Sequence, residues 1–421
     1  MLHGDSQLGH WTMSLLRTQG GRDLPLDVET SEGICLYAGD VYNWPHEPND
    51  HASIRARVTR DPRELLRELR GEFAILLAHG DRVWFATDSF RTHSLWYYHD
   101  GRGVLSVASY GDVVRAEHQA AYQARANTIY EFDRATGRLR EHPRREFDLA
   151  QHHDNYDRVF EALEAAVRER MTTNSITWLG SGMDSGTMLA AAHAQAINPG
   201  TVTVKFGERN WVLAERMRRH RSRIITYDGA SKQQAALDRL MELHFGRFNK
   251  NQDTLAHMSI ISKTMRGEDA PRVLVSSVGG DEFYADYGVE GKALRYESQF
   301  GGRFPVDLSL SWPWHHMVHQ WLDRDDALAG FMGVARRYPL LDHGLVQAWL
   351  NTTQRLKNRS YKDWMRTYMD EREYPYQTIK KGYAVWRRDT ADHARQLRTA
   401  DGQRGYKKRH GTLPDASDRG S

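Results

Sequence analysis

A single cysteine, Cys35, stands in 421 residues, so no internal disulfide can brace the chain, and this usage fits a reducing compartment. Long apolar runs are missing as well. Although 40% of residues are hydrophobic, no run approaches the roughly 20 needed to span a bilayer, and no membrane insertion is expected. The opening Met1-Leu2-His3-Gly4-Asp5 has neither the basic start nor the apolar core of a secretory signal, which with Cys35 points to the cytoplasm. Excess charge of one sign is scarce. A formal net charge of +3 does not call for nucleic acid or a membrane surface. The local basic excess follows Arg387, and 391–421, with Arg404, Lys407, Lys408 and Arg409, reads as a disordered, solvated tail. No repeat or low-complexity block occurs. Neither a Gly-rich loop closed by Lys-Ser/Thr nor a strand followed by Gly-x-Gly-x-x-Gly is present, so those two nucleotide fingerprints are excluded.

What is there is a change of pattern near residue 150. Before it come short strands at Ile34 to Ala38, Phe73 to Leu77, Val83 to Thr87, Leu95 to Tyr98 and Val104 to Ala108, separated by turn residues. After it, Val159, Leu163, Ala166 and Val167 fall on one helical face. Strands and helices then alternate: Ser175 to Leu179, a helix from Asp184, Thr201 to Phe206, a helix from Trp211, and Arg223 to Tyr227. Alternation of this kind implies a parallel sheet with right-handed crossovers. Beyond about residue 295 the chain reads as mostly helical. The length suits two domains, each able to bury a core.

Two segments carry chemistry. In Thr177-Trp178-Leu179-Gly180-Ser181-Gly182-Met183-Asp184-Ser185-Gly186, an apolar strand meets a small-residue turn and then a helix, an arrangement whose backbone N–H groups and helix dipole cradle phosphate. In Val273-Leu274-Val275-Ser276-Ser277-Val278-Gly279-Gly280-Asp281-Glu282, a second apolar strand ends in small residues and a carboxylate pair. Ligands collect at the carboxyl ends of strands in open parallel sheets. Asp184 and Asp281 suit Mg²⁺, which takes one or two protein carboxylates and completes its shell with phosphate oxygens and water.

The first loop resembles the pyrophosphate-binding Ser-Gly-Gly-x-Asp-Ser loop of ATP pyrophosphatases. The two segments together resemble the synthetase domain of the asparagine synthetase family, with its β-lactam synthetase and lasso-peptide cyclase relatives. Gly333-Val334-Ala335-Arg336-Arg337-Tyr338-Pro339-Leu340-Leu341-Asp342 is similar to that family's Gly-x-Glu-x-Arg-x-Pro-Phe-Leu-Asp. Earlier, Gly39-Asp40-Val41-Tyr42-Asn43, Gly71-Glu72-Phe73-Ala74 and Asp88 through Leu95-Trp96-Tyr97-Tyr98 resemble its glutaminase half. The resemblance implies an α/β chain. Residues 1–150 would form a truncated Ntn-hydrolase-like, glutaminase-like β-rich domain, and 151–390 an ATP-pyrophosphatase parallel-sheet domain with a helical carboxy-terminal part.

It also implies a site. ATP and Mg²⁺ would be held by Leu179, Gly180, Ser181, Gly182, Met183, Asp184, Ser185, Ser277, Gly279, Gly280 and Asp281, with the backbone of Val204 and Lys205 facing adenine and Leu179 and Met183 packing around it. Lys380, in preference to Lys381, would balance charge on the α-phosphate, and Glu282 joins them as a catalytic candidate. Arg247, Asn249, Lys250, Gln252 and Asp253 form a candidate specificity loop. The family's reaction is adenylation of a carboxylate, loss of pyrophosphate, and displacement of AMP by ammonia or a primary amine.

The departures narrow this expectation. Glutamine-using members attack with a cysteine at position two, where this chain has Leu2; Cys35 sits in an apolar strand and reads as a buried structural thiol. Ala38 replaces the family's Asn before Gly39, so no glutaminase activity is expected. In the first loop the hydroxyl comes one position late, leaving Ser181 or Ser185 for the phosphate contact. Val278 replaces the Glu of asparagine synthetases and the catalytic Tyr of β-lactam synthetases. The reading is therefore an AMP-forming amide ligase acting on a carboxylate substrate and an amine or ammonia. The alternatives are a lasso-type peptide cyclase, acting on a peptide, and a non-catalytic nucleotide-binding protein. A homodimer is allowed, and a nucleic-acid partner would need a basic surface that only the tail suggests. His315 and His319 have helical zinc spacing, but His316 stands where the metalloprotease motif needs Glu, so aromatic packing is the preferred reading.

Overall fold

The structure, a computed structural model, describes residues 2–4, 11–13, 34–44, 53–54, 56–57, 61–204, 210–220, 222–225, 273–285, 304–308, 316–332 and 334–377. By contacts the chain divides into Met1–Gly382 and Tyr383–Ser421, and all described residues belong to the first unit. Its strands are β1 (Leu2–Gly4), β2 (Trp11–Met13), β3 (Ile34–Val41), β4 (Gly71–His79), β5 (Arg82–Thr87), β6 (Trp96–His99), β7 (Leu105–Ala108), β8 (Tyr122–Gln123), β9 (Thr128–Asp133), β10 (Arg138–Pro143), β11 (Ser175–Trp178), β12 (Gly200–Val204), β13 (Ser222–Ile225), β14 (Val273–Val275) and β15 (Ala335–Arg337). The helices are α1 (Pro62–Glu68), α2 (Gly111–His118), α3 (Asp157–Arg170), α4 (Met183–Ala194), α5 (Asn210–Arg219), α6 (Gly280–Tyr284), α7 (His316–Met332), α8 (His343–Leu350), α9 (Gln354–Lys357) and α10 (Asp363–Glu371).

Among the described residues an antiparallel sheet runs β10-β9-β5-β4-β3 and a parallel sheet runs β13-β12-β11-β14-β15. The protein is thus a mixed α/β chain with antiparallel and parallel sheets. It passes from one to the other between Pro143 and Asp157.

Strand β4 shows why the first sheet is covered on both faces. Its alternate residues Phe73, Ile75 and Leu77 join Trp84, Ala86 and the α1 residues Leu65 and Leu66 in one apolar cluster. Ala74, Leu76 and Ala78 join Val83, Phe85 and Tyr130 in another. The period of two thus divides one apolar run between two cores. Cys35 is buried in the first of these clusters.

The parallel sheet is buried by helices whose sequences match their position. Helix α3 turns Val159, Leu163, Ala166 and Val167 inward, the stripe its spacing predicts. Helix α4 is apolar around most of its circumference, with Met188, Leu189, Ala190, Ala191 and Ala192 all buried, and it lies in the main core beside α3 and α10.

Helices α1 and α2 and the hairpin β9–β10 were not expected from the sequence. Strand β10 carries mostly exposed, charged residues, which hides it from a hydrophobic-period reading. Strand β15 stands within the region after about residue 295 that the sequence reads as mostly helical. Three residues are too few to show a period, and β15 is fixed instead by parallel pairing with β14. No helix among the described residues is long and apolar enough to cross a membrane.

Candidate functional site

The parallel sheet reverses its build direction between β11 and β14: β12 and β13 lie on one side, β15 on the other. Such a switch point opens a crevice outside the carboxyl ends of the two central strands. The loop after β11 is Leu179–Gly182, and the loop after β14 is Ser276–Gly279. Both sequence motifs therefore meet at one end of the sheet.

Two glycines permit the approach. A Cβ on Gly280 would lie 2.4 Å from Asp184 Oδ1, so any side chain there would displace the carboxylate. Gly279 has φ +104, a region L-residues rarely adopt, and its Cβ would fall 2.6 Å from Leu341 Cδ2. Neighbouring Val278 packs against the main core.

Asp184 and Asp281 converge on one ammonium group. Lys362 Nζ contacts Asp184 Oδ1 and lies 2.7 Å from Asp281 Oδ1, which also accepts a hydrogen bond from Tyr361 Oη at 2.9 Å. The Lys362 side chain is 2% exposed, and its backbone is left-handed, φ 51 and ψ 40, immediately before α10. Burial alone would favour its neutral form. Asp184 and Asp281 override that and raise its pKa well above the ordinary lysine value. Burial likewise raises the Tyr361 pKa, keeping a neutral hydroxyl beside Asp281. No sequence signal led to Lys362 or Tyr361: a lone basic residue ahead of a helix has no periodicity, and only the fold brings α10 to the switch point.

Several expected residues take different positions. Leu179 and Met183 are buried in the main core, 1% and 6% exposed. Ser181 Oγ donates to Gln377 Oε1 at 2.9 Å, so this hydroxyl is turned to the segment that follows α10. Ser185 is buried at the first turn of α4. Glu282 is 3% exposed and accepts from Gly279 N at 2.9 Å, a bond that holds the second loop. Ser277 is half-buried, and its carbonyl accepts from Gly280 N at 3.4 Å. Val204 ends β12 opposite Ile225. Lys205, Lys380, Lys381, the 247–253 cluster, His315 and the tail lie outside the described residues. Among the described residues no three His, Cys, Asp or Glu side chains gather to hold a metal. Two carboxylates within reach of one cation still match the protein share of a Mg²⁺–phosphate site.

No protein-family model matches the chain. No curated protein matches it either. Among solved structures, glutamine phosphoribosylpyrophosphate amidotransferase from B. subtilis, complexed with ADP and GMP, is 11% identical, with 60% of this chain and 57% of that one covered at a TM-score of 0.24. The allosteric regulatory enzyme of purine biosynthesis is also 11% identical, with 61% and 56% covered at a TM-score of 0.23. The chain spans less than two thirds of either protein, and likeness at these scores carries no argument about fold family or activity.

Proposed function

We propose that this protein is an ATP-dependent, AMP-forming carbon–nitrogen ligase of the asparagine-synthetase kind, without glutaminase activity of its own. The observation that carries the reading is the convergence of Asp184 and Asp281, from the first turns of α4 and α6, on one cation at the switch point of a parallel sheet. In this reading the Leu179–Gly182 loop and the start of α4 receive the triphosphate, and Asp184 and Asp281 hold Mg²⁺. Bound Mg²⁺ would supply neutralisation of phosphate charge. Lys362, tied to both carboxylates, orients them and adds a fixed positive charge where pyrophosphate charge develops. Lys380 would serve the α-phosphate side. Val278 can neither accept a proton nor bind an ammonium, which separates the chain from standard asparagine and β-lactam synthetases. The acceptor is then a primary amine or ammonia, on a small molecule or a peptide. Burial of Cys35 within the first core is consistent with the missing glutaminase step.

The test is AMP and pyrophosphate release from ATP and Mg²⁺ with pooled carboxylic acids and amines, ammonia and glutamine being supplied separately. Substrate-dependent AMP is expected from the wild type, falling about 100-fold or more in Asp184→Ala. One observation favours a second reading, a non-catalytic nucleotide-binding protein: the ammonium of Lys362 already occupies the point between the carboxylates and offsets one of their two charges. ATP binding unaffected by Mg²⁺ and without AMP release across the pool would select it.

A further inference from the structure

We infer that Arg216 is a positioning residue that sets the first loop from behind, so that its backbone N–H groups face phosphate; this rests on the loop's being the phosphate cradle proposed above. Arg216, on α5, is fully buried. Its Nε donates to the carbonyl of Pro375 at 2.8 Å, its Nη1 to that of Gly180, and its Nη2 to that of Gly182 at 3.1 Å. The intervening Ser181 carbonyl accepts from Gln377 N at 2.8 Å. Three consecutive loop carbonyls are thus each taken by a fixed donor.

The consequence follows from peptide geometry. Among the described residues the backbone has no cis bond, and in a trans peptide the N–H points opposite to the C=O of the same unit. With the Gly180 and Gly182 carbonyls on one guanidinium, the N–H groups of Ser181 and Met183 are aimed away from it. That is how successive N–H groups come to line an anion-binding concavity. A planar fork of five donors can hold two carbonyls of one loop and a third from elsewhere; a lysine ammonium offers no such fork.

The surroundings are shaped for this side chain. Gly186 lies inside the first turns of α4, where glycine is about 1 kcal/mol less favourable than alanine. A Cβ there would fall 2.2 Å from Arg216 Nη2 and 2.9 Å from its Cζ, so the guanidinium fits only because residue 186 is glycine. The Tyr374 ring centroid lies 5.2 Å from Cζ on another side. Helix α5 also follows β12, the strand expected to face the base. Arg216 therefore links the base side of the crevice to the phosphate loop.

Calorimetric titration of wild type, Arg216→Lys, Arg216→Met and Gly186→Ala with ATP, inorganic pyrophosphate and adenosine, all in Mg²⁺, tests this, with circular dichroism confirming folding. The variants are expected to lose about tenfold or more in affinity for ATP and pyrophosphate while adenosine binding stays within about twofold. A folded Arg216→Lys or Gly186→Ala protein binding ATP and pyrophosphate as tightly as wild type overturns the inference. So does a loss shared equally by adenosine, the mark of a merely structural strut. Gly186→Ala, which keeps the arginine, decides the matter should Arg216→Met fail to fold. A wild type that binds neither ATP nor pyrophosphate overturns the phosphate-loop reading itself, and the function proposed from it, before any variant is compared.

Discussion

Lys362 is the residue on which the candidate site turns, because its one charge answers two carboxylates. Replacing it with methionine keeps most of the volume and removes the cation, leaving Asp184 and Asp281 facing each other in a largely buried site. Breaking a buried ionic contact costs about 3–5 kcal/mol, and the lower end applies here because the Asp184 side chain keeps 24% of its exposure. A divalent cation can replace the missing charge, so Mg²⁺ should raise the thermal midpoint of Lys362→Met by several degrees more than that of the wild type. Thermal scans of both proteins with Mg²⁺ and with EDTA measure this; equal Mg²⁺ responses would show that the carboxylate pair is not a cation site. Neither Lys362 nor Arg216 was legible in the sequence. Each works through contacts with residues far away in the chain, and neither lies in a pattern that local spacing could reveal.

Elements were legible where their own residues decide the packing. The α3 stripe and the division of β4 between two cores follow from periods of 3.6 and 2, and the two loops announce themselves as contiguous small-residue turns after apolar strands. The hairpin β9–β10 and strand β15 were not legible, since cross-strand pairing rather than apolar period defines them. The start of α8 shows how one side chain serves both an element and its neighbours. Asp342 caps the helix by accepting from Leu345 N at 3.0 Å, while its other oxygen meets Arg170 Nη2 at 3.0 Å. Asparagine caps as well as aspartate but carries no charge, so Asp342→Asn loses only the ion pair and Asp342→Ala loses the cap too. The alanine variant should be less stable than the asparagine variant by about 1 kcal/mol. Urea unfolding of the two, side by side, measures that difference; none would mean that the cap contributes nothing once the charge is gone.

At the scale of the whole molecule the question is whether the antiparallel sheet is a passenger on the parallel one. Glu72 on β4 argues that it is not. Its side chain is 3% exposed; one oxygen accepts from Arg170 Nε at 2.6 Å and from Tyr338 N at 3.2 Å, the other from Tyr42 Oη at 2.5 Å. Arg170 ends α3 and Tyr338 follows β15, so this carboxylate from the first sheet completes the hydrogen bonding of the second. Burial would weaken the charge of Arg170, but Glu72 and Asp342 raise its pKa, so it stays a cation. Nearby, Arg337 on β15 holds both oxygens of Asp40, at 2.8 and 3.1 Å, while its own carbonyl accepts from Ser276 N at the root of the second loop. Phe90, from the antiparallel half, sits in the main core with its ring 5.2 Å from that of Phe283 on α6. Polar and apolar contacts alike run from the first sheet to the elements that carry the candidate site. The antiparallel half thus buttresses the elements that carry the candidate site. Glu72→Ala should cost about 3–5 kcal/mol, since it leaves Arg170 buried with one carboxylate fewer and orphans the Tyr338 N–H. Because the two halves share these groups, the loss should appear equally in both. Native-state hydrogen exchange on peptides from β4–β5 and from α4 reads the opening free energy of each half separately. Equal decreases would mean one cooperative unit. A decrease confined to β4–β5, with α4 protected as in the wild type, would show that the parallel sheet stands without the other half and that the ionic cluster only fastens the first sheet to it.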